Sequence, residues 1–196
     1  EYNDPRLSRA FITKQGTSGK EQAPGTADNA VYAPNGTPEQ GTSKYGTSLF
    51  MYSISAPTLL LSYHELKFLE AEALCRLERD AKSALKDAVV AGLLNAENSF
   101  TISRKELGKT LINAASSITE AEAESYFDNT IEAKYTAEPL KTTMTQKYFA
   151  LWGASGEATE SYNDVRRMKG LGENFIELKN PNSFPLRCPY GNSDTT

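Results

Sequence analysis

The sequence predicts a mainly helical, all-α protein with long irregular loops and an extended C-terminal tail. Three observations carry that expectation. Apolar residues recur at helical spacing through much of the stretch from Thr58 to Gly170. Gly, Pro, Ser and Thr make up about half of residues 16–47, where no period survives. Beyond Gly170, Pro181, Pro185 and Pro189 exclude a helix and favour a chain that hugs the surface. The sequence therefore divides into a loop-rich segment with short extended pieces (1–57), a helical scaffold (58–170) and a tail (171–196).

Each element has a local reason. Residues 16–47 form a loop too long to be a plain connector, and such loops tend to carry function. The run LFMYSI from Leu49 to Ile54 suits a strand-like piece or a plug for the core, and Ala56-Pro57-Thr58 offers a stop and a restart. A first helix is expected from Thr58 to Leu77, with Leu66, Leu69, Ala73 and Leu77 on its buried face. After a two-residue turn at Glu78-Arg79, a second helix runs from Asp80, its cap, to Asn95. It carries Ala81, Ala84, Leu85, Ala88 and Val89, small enough for close antiparallel packing. Residues 95–117 are mixed, with a short helix from about Ser103. Thr119 and Glu122 form a capping box that opens a helix to about Asn129. Glu138-Pro139 opens another, with Pro at the first position.

The most distinctive stretch is Gln146 to Lys169, QKYFALWGASGEATESYNDVRRMK. It reads as two helical segments joined by an elbow between Gly153 and Gly156, where glycine can supply a left-handed cap. Met144, Tyr148 and Leu151 share a stripe that Phe149 and Trp152 widen. This places Trp152, Tyr148 and Leu151 in the core and Trp152→Ala at a cost of about 3–5 kcal/mol. Ala158, Tyr162, Val165 and Met168 line the second segment. Asp164, Arg166 and Arg167 suit a salt-bridge network at a helix end.

Composition narrows the functional classes. A net charge of -4 gives no basic footprint, which argues against nucleic acid. No apolar run approaches the roughly 18 residues a membrane span needs. His64 is the lone histidine and is expected on a helix surface; one His and two separated Cys do not make an ordinary zinc site. Nothing in the spacing of Cys75 and Cys188 suggests a bridge. Glu70/Glu72 and Glu120/Glu122/Glu124 fall at spacings that put them on solvated faces, so no acid–base pair stands out. The glycines at 16, 19 and 25 lack the strand and helix of a phosphate loop. The expectation is a protein without catalytic residues, metal or cofactor.

What remains is aromatic. Tyr32 and Tyr45 sit in the polar loop and Tyr2 lies just ahead of it, with no apolar stripe to account for them. Aromatic rings pack on the C–H faces of sugars, so these three are the candidate ligand-binding residues. Anchoring the loop to the helices is the competing role.

The order of residue types in 146–169 resembles the "QKYIALWGQG-EAW-E-RR" block near the C-terminus of SusD/RagB proteins. LSYHELKFLEAEALCRL, from Leu61 to Leu77, is similar to that family's "AEA" helix. NPNSFPLRCPYGNSDTT looks like its closing segment, and Asp4-Pro5-Arg6-Leu7 matches a short "DPRL" element. The sequence departs where the family often has Trp after "EA", since Glu157-Ala158 is followed by Thr159. The resemblance implies the C-terminal part of a larger SusD-like lipoprotein built on tetratricopeptide-like helical pairs. Such a protein binds an oligosaccharide or polysaccharide at the cell-surface face of the outer membrane. It hands the glycan to a SusC-like, TonB-dependent transporter, and its N-terminal lipid anchor would lie outside this chain. Two other classes compete: a helical-repeat protein–protein adaptor, which predicts a groove without loop aromatics, and a carbohydrate-active hydrolase, which predicts two carboxylates across a cleft.

Overall fold

The computed structural model describes residues 2–15, 20–22, 47–107 and 116–178. The chain is mainly helical. Three short strands, β1 (Phe11–Gln15), β2 (Lys20–Gln22) and β3 (Thr47–Ser48), form a small antiparallel sheet in the order β2-β1-β3. Phe11 pairs with Ser48 and Thr13 with Gln22. A 3-10 turn, Leu49–Tyr52, follows β3; Leu49 is buried there, so this run is the plug.

Helix α1 spans Tyr63–Arg76, starting later than expected from Thr58. Ser62 sets the start: its hydroxyl accepts from the Glu65 N–H at 3.1 Å, closing an orphan donor of the first turn. Residues 58–61 are instead non-helical, and the Leu59 N–H donates to the Ser155 carbonyl at 2.7 Å. Helix α1 ends in a Schellman-type turn. The Glu78 N–H bonds to Cys75 O and the Arg79 N–H to Leu74 O, with Glu78 left-handed at φ 55°. Five residues, not two, therefore separate α1 from α2 (Lys82–Leu107). The turn brings α2 back along α1, with Lys67 on α1 reaching Asp87 on α2 at 3.4 Å.

The expected faces need correction. The leucine stripe of α1 is outward: Leu66, Leu69, Ala73 and Leu77 are exposed, while His64, Glu65, Phe68, Ala71 and Glu72 are buried. His64 thus lies inside, not on a helix surface, and Glu72 is not solvated. Helix α2 does not stop at Asn95 but runs to Leu107. Its second half buries polar residues beside Phe100: Glu97 accepts from the Ile118 N–H at 3.0 Å, and Ser103 donates to Ser99 O at 2.8 Å. Hydrophobicity fades there while burial continues.

Helix α3 (Glu120–Tyr126) opens on the Thr119 cap, whose hydroxyl accepts from the Glu122 N–H at 3.2 Å. A π-helical turn, Phe127–Ile131, then carries the chain into α4 (Glu132–Ala137), past the expected end near Asn129. Helix α5 (Pro139–Leu151) has Pro at its start, and α6 spans Glu160–Gly170. The larger core gathers Phe68, Leu85, Leu93, Phe100, Phe127 and Ile131. A smaller one joins Met144, Val165 and Met168 to Phe175, Ile176 and Leu178 at the start of the tail. Cys75 is a half-buried free thiol 3.6 Å from the Thr143 hydroxyl, and Cys188 lies outside the described residues. Among the described residues, no helix is long and apolar enough to cross a membrane.

Candidate functional site: an aromatic cleft at the elbow

The cleft begins with the way α5 ends. Trp152 caps the helix with an ordinary helical φ but an extended ψ of 118°, which turns the following chain away, and its ring stands at the edge of the stripe that Met144 and Leu151 bury. Trp152 is 40% exposed, Tyr148 is half-buried and only Leu151 is fully enclosed; the expectation of a buried Trp152 is overturned because it stands at the edge of the stripe, where the core no longer covers it. Gly153 and Gly156 then turn the chain at φ 78° and φ 89°. Neither could be replaced freely. A Cβ on Gly153 would meet the Phe50 ring at 2.4 Å, and one on Gly156 would stand 2.2 Å from the Leu59 carbonyl oxygen.

Trp152 is exposed yet held. Phe11 stacks on it, with ring centroids 5.3 Å apart and 29° between planes, and Phe50 meets it edge-on at 5.0 Å. Phe50 rests in turn on the buried Phe100 at 4.9 Å. Across the cleft, Tyr2 packs edge-on against Phe149 at 5.4 Å. Tyr2, Phe11, Tyr148, Phe149 and Trp152 wall a cavity of about 520 Å³, and Asn3, Asp4, Arg6 and Ser161 supply its polar lining.

The Asp-Pro-Arg-Leu element builds one wall. Arg6, buried, donates to both carboxylate oxygens of Asp4 at 2.9 and 2.5 Å and to the Phe149 carbonyl at 2.7 Å. That carbonyl belongs to the last turn of α5, where acceptors lack helical partners and a cation is favoured. Arg9 reaches the carbonyls of Ser116 and Pro5 at 2.6 and 2.8 Å and the carboxylate of Glu122 at 2.9 Å. Asp4 and Arg6 are thus committed to each other, and the cleft offers rings, an amide and hydroxyls.

Behind the cleft lies a buried polar cluster. Glu157, 2% exposed, accepts from the Ser62 N–H through one oxygen and sets the other 3.6 Å from His64 Nε2. Burial holds His64 below its ordinary value, against the pull of Glu157 and with help from Arg6. Glu65 is pushed up to about 7, first by burial and then by its hydrogen bond to and repulsion from Glu157, while Lys147 opposes. Lys147 is itself buried and pairs with Asp164 at 2.8 Å. This carboxyl pair sits between α1 and the elbow, not among the residues that line the cleft.

A raised folded value makes Glu65 a source of stability that is full below its unfolded value of about 4.3 and is lost as the pH rises to about 7. Gln can donate to Glu157 as the protonated acid does. Glu65→Gln should therefore match the parent's melting temperature near pH 4.5 and become the more stable protein as pH rises past 7. The neutral His64 titrates in both proteins and drops out of the difference. A gap that stays constant from pH 4.5 to 8 would contradict the raised Glu65 value.

Tyr2, one of three candidates named from the sequence, lines the cleft; Lys134 lies over its ring at 4.8 Å. Tyr32 and Tyr45 lie outside the described residues. Phe149 and Trp152 were missed because apolar rings on or near a helical stripe read as core, and Phe11 because no motif or period singles it out. The signal available was Gly153, which ends the helix directly after Trp152. Asp164 and Arg167 do form an ion network, in which Arg167 pairs with Glu72 and, at 2.7 Å, with Asp164.

A family model described as starch-binding and associating with the outer membrane matches residues 1–190 of this chain. The chain belongs to the SusD/RagB family. A crystal structure of a SusD/RagB family protein from Bacteroides thetaiotaomicron VPI-5482 superposes with a TM-score of 0.89 at 62% identity. The match covers 99% of this chain and 42% of that one, so the chain spans less than half the length of this SusD/RagB relative. No curated protein matches.

Proposed function

We propose that this SusD-like chain supplies an aromatic glycan-binding surface to a lipid-anchored protein on the cell-surface face of the outer membrane. The protein captures an oligosaccharide and passes it to a SusC-like, TonB-dependent transporter, with no covalent chemistry. The observation that carries this reading is Trp152: a large ring open to the cleft on one side and fixed by Phe11 and Phe50 on others. A ring already immobilised loses little entropy when a sugar's apolar face stacks on it. Asn3, Ser161 and the phenol of Tyr2 then stand where sugar hydroxyls need partners. The buried position of the Glu65–Glu157 pair speaks against a hydrolase. Tyr32 and Tyr45 are proposed as further stacking platforms.

The test is calorimetric titration with a glycan selected from a panel that includes starch-type oligosaccharides. One stacking platform contributes about 1–2 kcal/mol, so Trp152→Ala and Tyr2→Ala should each weaken binding roughly tenfold. Trp152→Phe should keep most of the affinity. Because Trp152 is only partly buried, its loss should cost about 2–3 kcal/mol of stability, less than for an enclosed ring. Parental affinity in folded Trp152→Ala and Tyr2→Ala would move the site elsewhere, with Tyr32→Ala and Tyr45→Ala as the next variants to titrate.

A further inference from the structure

The cleft holds one pair of opposite charges and spends it on itself. Among the described residues that line it, Asp4 and Arg6 are the only ionisable groups besides two phenols. The Arg6 backbone N–H, Nε and Nη2 all donate to the Asp4 carboxylate, at 2.9, 2.9 and 2.5 Å. Nη1 is taken by the Phe149 carbonyl at 2.7 Å. Every guanidinium nitrogen therefore has a partner in the protein, and the side chain is 6% exposed. A carboxylate or sulfate on a ligand is held best by an arginine fork or a lysine. Here the fork is filled. The Lys134 ammonium lies over the Tyr2 ring, 4.8 Å from its centroid, and is not one of the lining groups.

The remaining polar atoms lean the same way. Ser161 gives its hydroxyl proton to the Ala158 carbonyl at 2.7 Å, so toward a ligand it can only accept. A carboxylate offers about four acceptor positions, so the bonds from Arg6 leave Asp4 a free position for an incoming donor. Sugar hydroxyls donate to such acceptors, whereas an anion meets them lone pair to lone pair. Around them stand the rings of Tyr2, Phe11, Phe149 and Trp152, which strip water from a charge without replacing it. The chain's net charge of -4 adds a field of the same sign. We propose that the cleft selects uncharged glycans against those bearing carboxylate or sulfate, and that Asp4 sets this selectivity by occupying Arg6. This rests on the glycan reading above and narrows its ligand class. Without the Asp4 charge, the guanidinium would turn an unfilled fork to the cleft, the partner an anionic sugar needs.

The experiment is a glycan array on a full-length protein carrying these residues, followed by calorimetry at low and high ionic strength. Starch-, cellulose- and mannan-type oligosaccharides stand beside oligogalacturonate, hyaluronan and heparin fragments. Binding is assigned to this cleft where Trp152→Ala weakens it. Ligands so assigned should be neutral, bind about tenfold or more tighter than any charged member, and keep their affinity as salt rises. Asp4→Asn should move the ratio of charged to neutral affinity about tenfold or more toward the charged glycans. A uronate or sulfated glycan that binds this cleft as tightly as the best neutral one would overturn the proposal and leave the glycan reading standing. If Trp152→Ala weakens no ligand, the glycan reading of the cleft falls and this proposal with it. A folded Asp4→Asn protein with an unchanged ratio would overturn the role of Asp4. Should that variant not fold, Asp4→Ser gives the same readout; failure of both to fold would make Asp4 a structural tie and overturn its role as selector.

Discussion

Gly156→Ala should cost this protein about 3 kcal/mol or more and disturb the cleft as it does so. Two penalties coincide at one methyl group. The backbone stands at φ 89°, where an L-residue loses about 1–2 kcal/mol relative to its ordinary conformations. The added carbon would also lie 2.2 Å from the Leu59 carbonyl oxygen, which is backbone and cannot swing aside. Relief requires the non-helical residues 59–62 to move away from the elbow. That movement breaks the Leu59–Ser155 hydrogen bond and pulls the Ser62 N–H from Glu157, at the cap that starts α1. The measurement is a urea melt of the variant, paired with glycan titration where it remains folded. A loss below about 1 kcal/mol would show that the elbow yields easily and does not fix the cleft.

Glu72→Ala should cost about 2–3 kcal/mol, less than the roughly 3–5 kcal/mol of breaking a fully buried ion pair. Glu72 is 5% exposed and accepts from Arg76 at 2.7 Å and from Arg167 at 2.9 Å, joining α1 to α6. The penalty is moderated because both arginines are partly solvated and keep other acids: Arg76 holds Glu173 and Arg167 holds Asp164. Burial pushes the Glu72 carboxyl upward, but hydrogen bonds from Arg167 and Arg76 outweigh it, leaving it below the ordinary glutamate value. A lowered folded value contributes stability that is present above the unfolded value and lost as the pH falls. The deficit of Glu72→Ala should therefore be largest near neutrality and shrink below about pH 4, where the unfolded parent takes up a proton that the folded Glu72 resists. Thermal melts across that range check it. A deficit unchanged by acid would assign the loss to packing, not charge.

Local signals were legible where one residue type solves one local problem. Pro139 at a helix start, Thr119 ahead of Glu122, and glycines at a left-handed elbow each sit where the backbone demands them. Faces were harder to read. The buried side of α1 carries His64, Glu65 and Glu72 beside Phe68 and Ala71, so apolar periodicity points to the wrong side, and the row of leucines is the outer one. The far half of α2 is buried through Glu97, Ser99 and Ser103, whose polar groups bond within the fold and erase the apolar period. The cleft needed tertiary information. Trp152 stands at the edge of its stripe, where only the neighbouring elements decide its exposure, and Phe11 and Tyr2 reach the cleft from the other end of the described chain.

That last point bears on the order in which the molecule assembles. The bond from Arg6 to the Phe149 carbonyl joins residues 143 positions apart, while α1 and α2 are joined by a five-residue turn. Closing so large a loop carries an entropic cost that neighbouring helices do not face, so contacts between sequence neighbours form sooner. The helices would then collapse first and the binding surface last, once the N-terminal segment returns to seal it. Because Trp152 is the chain's single tryptophan and stacks on Phe11, its fluorescence reports that closing event separately from helix formation. In this architecture the proposed ligand surface would be the last part to become native and the first to be lost.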